Sequence, residues 1–482
     1  MKIQFATSAL GWLLCSLAQA DIINVPGDQP DIQTAINVAV NGDEILVAPG
    51  TYLENINFKG KAITVRTHDP SNRWNTIIDG GGSGSVVTCS REEGPDTVLT
   101  GFTITGGSGT VVDILSLGGG MYNVNSNPTV TNCNFYRNAA NYGGGMYNEN
   151  SSPAVTNCRF LENLVSEGGQ ALTFGSGMFN NNSSPVVTTC WFDMNTAHFG
   201  SGMYNFGGSP ELTKCFFTWN TALNQGGGLY NNQCDVKMKH CRFELNTAND
   251  GGGMYNLGGN PILTGCQFAL NTALFQGGGL YNGNGDPKIT NCTITVNIAG
   301  NDGGGIFNTS GGNPVITNSI LWRDSPDEIL DSVIGSTVVT YSDVQGGYLG
   351  IGNIDADPNF IVFIEFNYRL RPGSPCIDAG NSSAVPAGLT TDMDGKPRFV
   401  NDPFTPDTGN GPAPIVDMGL YEFIPSCTVD ANSDGVVNVT DLLLLLGSWG
   451  ACPFPCPTDA NGDGIVNVFD LLTLLAGWGL CL

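Results

Sequence analysis

Two twelve-residue stretches near the C-terminus hold the densest chemistry in the chain: "DANSDGVVNVTD", residues 430–441, and "DANGDGIVNVFD", residues 459–470. Each sets side-chain oxygens at positions 1, 3, 5, 9 and 12 and a glycine at position 6. That spacing wraps a short loop around one hard cation, with the position 7 carbonyl as a further ligand. The first loop would use Asp430, Asn432, Asp434, Asn438 and Asp441 with the Val436 carbonyl. The second would use Asp459, Asn461, Asp463, Asn467 and Asp470 with that of Ile465. Two Ca²⁺ ions are therefore the expected cofactors. Residues 427–482 contain six Asp and no basic residue, so without an ion the carboxylates only repel, and folding of this segment should follow calcium.

A leucine-rich helical run follows each loop ("DLLLLLGSWG", "DLLTLLAGWG"), and a much larger scaffold precedes them. Glycine triplets at 118–120, 143–145, 226–228, 251–253, 277–279 and 303–305, with Gly-Ser-Gly at 175 and 200, recur mostly every 25 or 26 residues. An aliphatic residue follows each one (Met121, Met146, Met178, Met203, Leu229, Met254, Leu280, Ile306), then Tyr or Phe, then Asn. A second apolar triplet comes next, as in Val130, Cys133 and Phe135. These short period-two runs, broken by Gly, Asn and Pro, predict strands and turns. One such unit cannot bury its apolar side alone, but parallel coils stacked about 4.8 Å apart can. The fold class is all-β, a parallel β-helix. Val130, Cys133 and Phe135 should point inward around a bend near Asn132, and Asn123, Asn148, Asn180, Asn205, Asn231, Asn256, Asn282 and Asn308 should form an asparagine ladder. The seven cysteines at one repeat position, Cys133 to Cys292, read as a buried row of small hydrophobes rather than a metal site.

Residues 118–322 resemble the GG-aliphatic and FxxN repeats ("FYRN", "FLEN", "FDMN", "FTWN", "FELN", "FALN") of polymorphic outer-membrane proteins and, more broadly, right-handed β-helices of the pectin lyase-like class. The opening, "PDIQTAINVAVNGDEILVAPGTY", is similar to pectinesterase-like first coils. There Asp31 should cap a short helix with Ile32, Ala35, Ile36 and Ala39 on one face, covering the open sheet edge. Residues 323–425 ("YRLRPGSPCIDAG", "TDMDGKPR", "VDMGLYEF") resemble the closing segment of choice-of-anchor surface proteins, and are expected to form irregular coils and a cap. The paired calcium loops, EF-hand-like, resemble a dockerin, which implies a cohesin-like partner. Val439-Thr440, Val468-Phe469 and Leu446-Gly447 depart from that family's recognition positions, which puts cohesin binding in question. The division is thus 1–20 leader, 21–117 cap and first coils, 118–322 repeat helix, 323–425 closing segment and 426–482 calcium module.

Residues 1–20, with Lys2, an apolar stretch and Ala18-Gln19-Ala20, have the layout of a cleavable Sec-type leader, placing the mature start at Asp21 and the product outside the cell. In that setting Cys427, Cys452, Cys456 and Cys481 read as two disulfides. The pairing 427 with 452 and 456 with 481 is favoured among three because each then closes one repeat. No later run of eighteen apolar residues predicts a membrane span. The formal charge of −25 repels nucleic acid.

Catalysis needs unlike groups brought together, so an active site is sought where the repetition breaks. The insertion "LVSEGGQALTF", 164–174, offers Glu167 and Gln170. The coil "DVKMKHCRFE" offers Lys237, Lys239, His240 and Arg242, beside Glu211, Lys214 and Trp219. Of these Lys239, Arg242 and Glu211 are the catalytic candidates for proton abstraction from an acidic sugar. Asp250 and Asp302 share a row two coils apart, roughly the carboxylate separation of inverting glycosidases. Strict alternation places the row Tyr122, Tyr147, Phe179, Tyr204, Tyr230, Tyr255, Tyr281 and Phe307 on the outer face, where Tyr204, Tyr230, Tyr255, Tyr281 and Trp219 would stack on sugar rings. The expected function is polysaccharide binding by a secreted protein with a docking module. A lyase or glycoside hydrolase is the alternative, and an adhesin the third reading.

Overall fold

The computed structural model describes residues 20–164, 172–309, 311–332, 337–362, 367–424, 429–432, 436–451, 456, 458–461 and 463–480. The leader, Glu167, Gln170, Asp434, Cys427, Cys452 and Cys481 lie outside them.

One coil shows how the repeat closes. Met203–Phe206 lies in sheet I, Glu211–Thr213 in sheet II, Phe216–Thr218 in sheet III, and Thr221–Gln225 in a shorter sheet IV that leads back to the glycines. Among the described residues sheets I, II and III have 11, 13 and 12 strands and sheet IV has five. Each repeat strand pairs in parallel with its equivalent one coil on: Met203 with Leu229, Glu211 with Lys237, Phe216 with Arg242. The corners turn on residues in the left-handed region, Lys214 (φ 53°) between sheets II and III and Gly226 (φ 70°) before sheet I. At the second of these a Cβ would meet the Leu229 carbonyl at 2.7 Å, so glycine is required there for space as well as for φ.

The inward rows are those the alternation predicts. Val130, Cys133 and Phe135 are fully buried, and the bend falls at Asn132 (φ 52°). Phe135, Phe160, Phe192, Phe217, Phe243 and Phe268 stack with ring centroids 4.6–4.8 Å apart, the strand spacing itself. The cysteine row is buried and reduced, each thiol donating to a backbone carbonyl, as Cys215 does to Val187 at 3.4 Å.

The expected asparagine ladder is present, with one break between Asn231 and Asn256, whose Nδ2 and Oδ1 respectively find no partner: Asn180 donates to Asn205 at 2.7 Å and Asn205 to Asn231 at 2.8 Å. A second, unforeseen ladder runs through Asn138, Asn163, Asn195, Asn220, Asn246, Asn271 and Asn297, the last residue of the FxxN signature. Each rung after the first also donates to the carbonyl of the inward aromatic one coil back, as Asn220 does to Phe192 at 2.8 Å.

At the N-terminal end, α1 (Ile32–Val38) is capped by Asp31, whose carboxylate accepts from the Thr34 N–H at 2.6 Å, and it buries Ile32, Ala35 and Ile36. At the other end the regular strands stop at Asp343–Val344. Residues 367–421 then double back along the outside of sheet III, packing Tyr368, Leu370, Cys376, Met418, Leu420 and Tyr421 on Ala269, Ile320 and Trp322. The segment is a lateral cover as well as a cap.

α2 (Val439–Gly447) and α3 (Val468–Ala476) follow the two acidic loops, each with a capping box: Asn438 with Asp441, and Asn467 with Asp470.

Candidate functional site

The tyrosine row is not an exposed platform. Alternation does carry the rings outside the main core, but Tyr204, Tyr230 and Tyr255 are only 6–7 % exposed and Tyr281 is half-buried. The residue preceding each glycine triplet folds over them. Leu117, Tyr142, Phe174, Phe199, Gln225, Asp250, Gln276 and Asp302 form that covering row by coil-to-coil pairing. Its aromatic part meets the inner row edge-on, Tyr142 with Phe179 at 5.0 Å and Phe174 with Tyr204 at 5.2 Å. The assignment of Tyr204, Tyr230, Tyr255 and Tyr281 to open sugar stacking is corrected accordingly: the row is a second, smaller hydrophobic core. Tyr204→Ala with Tyr230→Ala should therefore destabilise the coil by about 3–5 kcal/mol per ring, read by chemical denaturation. Unchanged stability would return the rings to the surface role.

Asp250 and Asp302 do share the covering row, with Gln276 between them. Gln225 Nε2 donates to Asp250 at 3.4 Å and Gln276 Nε2 to Asp302 at 3.1 Å. Burial raises the Asp250 carboxyl above its ordinary range, beside Tyr255 and Tyr281.

The basic coil is largely engaged. Lys237 bridges Glu211 at 2.9 Å; Lys239 Nζ donates to the Gly388 carbonyl at 3.3 Å; Arg242 Nη2 donates to Tyr421 Oη at 2.8 Å. His240 is buried, and desolvation lowers it to about 4, so it is neutral. Two of the catalytic candidates, Lys239 and Arg242, thus fasten the closing segment to the coil. Glu211, Lys237 and Lys239 line a cavity of about 270 Å³ under Pro386–Leu389.

Between the two covers of sheet III lies an open stretch. On one side Arg73 Nη1 donates to the Asn157 carbonyl at 2.6 Å and Trp74 packs edge-on against Tyr136. On the other stands the Arg242–Tyr421 contact. The outward position between them runs Arg159, Trp191, Phe216, Arg242 in successive coils. Trp191 and Phe216 stack at 5.2 Å with an interplanar angle of 5°, and the Arg242 guanidinium lies 5.7 Å over the Phe216 ring. Arg159 pairs with the buried Asp193 at 2.8 Å. Trp219 beside them is 56 % exposed, and Lys214 is exposed at the corner. Trp191, Phe216 and Arg159 were not singled out from the sequence. The signal was there: in "CWF" and "CFF" a large aromatic takes the outward place that holds Asn134, Gln267 or Thr293 in other coils.

In the acidic loops Asp441 and Asp470 are fully buried. Asp470 accepts from the Ala460, Asn461 and Asn467 N–H groups at 2.9, 3.2 and 2.8 Å, and Asp441 from Asn432 and Asn438 at 3.3 and 2.9 Å. Asp459 collects the Asp463 and Gly464 N–H groups at 3.2 and 2.7 Å; among the described residues no three acidic side chains are drawn together around one point. The described residues of this segment present acidic and amide groups and no cation, a donor set that fits a hard divalent ion. Cys456 is disulfide-bonded.

A family profile described as a right handed beta helix region matches residues 74–243. No curated protein sequence matches the chain. Among solved structures, a pectate lyase, Pel9A, is similar at 15 % identity and a TM-score of 0.46, over 84 % of this chain and 97 % of its own. A PL6-family alginate lyase, AlyGC, is similar at 12 % identity and a TM-score of 0.35, over 79 % and 60 %. A rhamnogalacturonan lyase is similar at 10 % identity and 0.35, over 73 % and 95 %. The family profile and the coil geometry together make the chain a right-handed parallel β-helix.

Proposed function

We propose that this chain is a secreted β-helix protein that holds extracellular or cell-surface polysaccharide on sheet III, with a calcium-loaded C-terminal module attaching it to a partner. One observation carries the reading: the half-buried, stacked Trp191–Phe216 pair with an arginine at each end and the exposed Trp219 beside it. Flat aromatic faces take the apolar faces of sugar rings, and the flanking guanidinium groups take hydroxyl or carboxylate oxygens. Arg159 and Arg242 stand in the same row of sheet III, and Lys214 is exposed at the corner that leads into it, in an otherwise acidic molecule. Trp191→Ala should weaken binding to the recognised glycan by at least about fivefold, since truncating an aromatic anchor costs more than about 1 kcal/mol. Arrays and calorimetry with the full chain check this. Affinity unchanged by Trp191→Ala and Phe216→Ala alike sinks the assignment.

The second reading is cleavage of the polysaccharide, favoured by the raised carboxyl of Asp250 beside Tyr255 and Tyr281 with Asp302 two coils on. Release of reducing ends or unsaturated uronates, lost in Asp250→Asn, would establish it.

A further inference from the structure

The second asparagine ladder ends on an acid. The Asn297 N–H and its Nδ2 both reach Asp324 Oδ1, at 2.7 and 2.9 Å, in the way each lower rung reaches the amide oxygen above it. Asp324 carries no amide nitrogen with which to continue. Beside the third glycine of each triplet the lower rungs present their amide group, Asn246 Nδ2 near Gly228 and Asn297 Nδ2 near Gly279; beside Gly305 that place is held by Asp324 Oδ2. In the rungs below, the Nδ2 donates to the carbonyl of the inward residue one coil back, Phe268 for Asn297; the equivalent residue for Asp324 is Ile294. Asp324 Oδ2 is buried and has no donor. Glu328 repeats the problem: its Oε1 accepts from the Asp324 N–H at 3.1 Å, and its Oε2 is buried without a donor. Both acids are 8 % exposed.

Oxygens that can only accept face one another here, and a buried acceptor without a donor costs about 1–3 kcal/mol. One proton removes the conflict. We propose that Asp324 is a neutral carboxylic acid in the folded chain, its hydroxyl standing in for the amide of the missing rung, so that a proton latches the C-terminal coil to the ladder. The titratable and charged groups around it are Glu328, Asp327 and Arg323 on its own loop, which with Tyr348 line an adjoining cavity of about 470 Å³, and Tyr368 of the closing hairpin. Burial raises Asp324 to about 7; burial and then the Asp324 charge raise Glu328 to about 10.

The folded state holds this proton more tightly than the unfolded chain, so the latch is fully closed below about pH 4 and weakens as pH rises toward about 7. Within that window the opening constant of the coil grows by up to about tenfold per pH unit. Glu328 extends the same trend to higher pH. Hydrogen exchange on peptides spanning residues 293–332 of the full chain, corrected for intrinsic rates, reads the opening directly. Asp324→Asn supplies the missing amide: its opening should rise less steeply with pH between about 5 and 7 than in the parent, with only the Glu328 contribution left, and at about pH 8 be at least tenfold rarer than in the parent. Glu328→Gln should keep the latch and flatten the slope. Parallel slopes in the parent and Asp324→Asn, or lower protection in Asp324→Asn at the higher pH, overturn the proposal. Should Asp324→Asn not fold, a pH-independent opening in Glu328→Gln between about 4 and 7 overturns it instead.

Discussion

Replacing Asp441 and Asp470 together by Asn abolishes uptake of two Ca²⁺ ions per chain and leaves residues 429–480 without their helices. The calcium reading proposed above implies this outcome, and the physical argument is one of too little core. Among its described residues the module buries five apolar side chains in one cluster, Val429, Val437, Leu445, Val466 and Leu474, while Leu443, Leu446, Trp449, Leu472, Leu475 and Trp478 remain about half exposed. α2 and α3 are nine residues each, shorter than an isolated helix needs to persist in water. Asp441 and Asp470 are the capping-box partners of Asn438 and Asn467, and under the proposed calcium reading they are also the position 12 ligands of the two loops. Losing the cap costs about 0.5–2 kcal/mol per helix. Losing the ion leaves the remaining carboxylates facing one another with nothing between them, and folding and ion binding are one process in so small a module. Calorimetry of Ca²⁺ uptake and exchange protection over 436–480 in the full chain are the checks. A double variant that still takes up two ions, or a chelated parent that keeps its helices protected, would refute the coupling.

The proposed calcium loops stand out in sequence because their oxygen-bearing residues lie within twelve consecutive positions. The β-helix interior was legible for a similar reason: a period of two within each strand and of 25 between coils names Val130, Cys133 and Phe135 as inward without knowledge of anything distant. What escaped is what depends on a second layer. Alternation assigns Tyr204 and Tyr230 to the outside of sheet I correctly, yet their burial is decided by Phe174 and Phe199, which belong to the covering row. Likewise Arg242 reads as a free outward cation until Tyr421, 179 residues later, folds back on it. No periodicity in 345–424 announces that return. The asparagine of FxxN was visible as a repeat mark but not as a rung, because an asparagine in a turn and an asparagine in a buried ladder look alike in sequence; only coil-to-coil contact separates them.

That second ladder supports the other large effect. Asn220 is fully buried and makes four hydrogen bonds: its Oδ1 accepts from the Asn195 N–H at 3.1 Å and from Asn195 Nδ2 at 3.0 Å, and its Nδ2 donates to the Phe192 carbonyl at 2.8 Å and to Asn246 Oδ1 at 2.9 Å. Asn220→Ala removes one bond from each partner: Asn195 Nδ2 keeps the Phe160 carbonyl and Asn246 Oδ1 keeps the residue 220 N–H, while the buried Asn195 N–H loses the amide oxygen it donates to. At about 0.5–1.5 kcal/mol for each of the four bonds the expected loss is about 2–6 kcal/mol, well above that of removing an exposed side chain. In a solenoid the damage is local, so it should appear as lost exchange protection in the coils from Asn195 to Asn246 before the ends respond. Asn220→Asp discriminates the cause. It keeps the shape and the accepting oxygen, and replaces the donor with an acceptor aimed at two other acceptors. Protonated, it can serve one of them; ionised, it serves neither and buries a charge. The variant should therefore be less damaging than Asn220→Ala at about pH 5 and the worse of the two at about pH 8. Asp324 is tolerated where Asp at 220 is not because the last rung has no amide above it to satisfy, so a single proton completes its bonding. An Asn220→Asp profile that is flat in pH, or an Asn220→Ala loss below about 1 kcal/mol, would show that packing of the phenylalanine stack, not the amide ladder, holds successive coils in register.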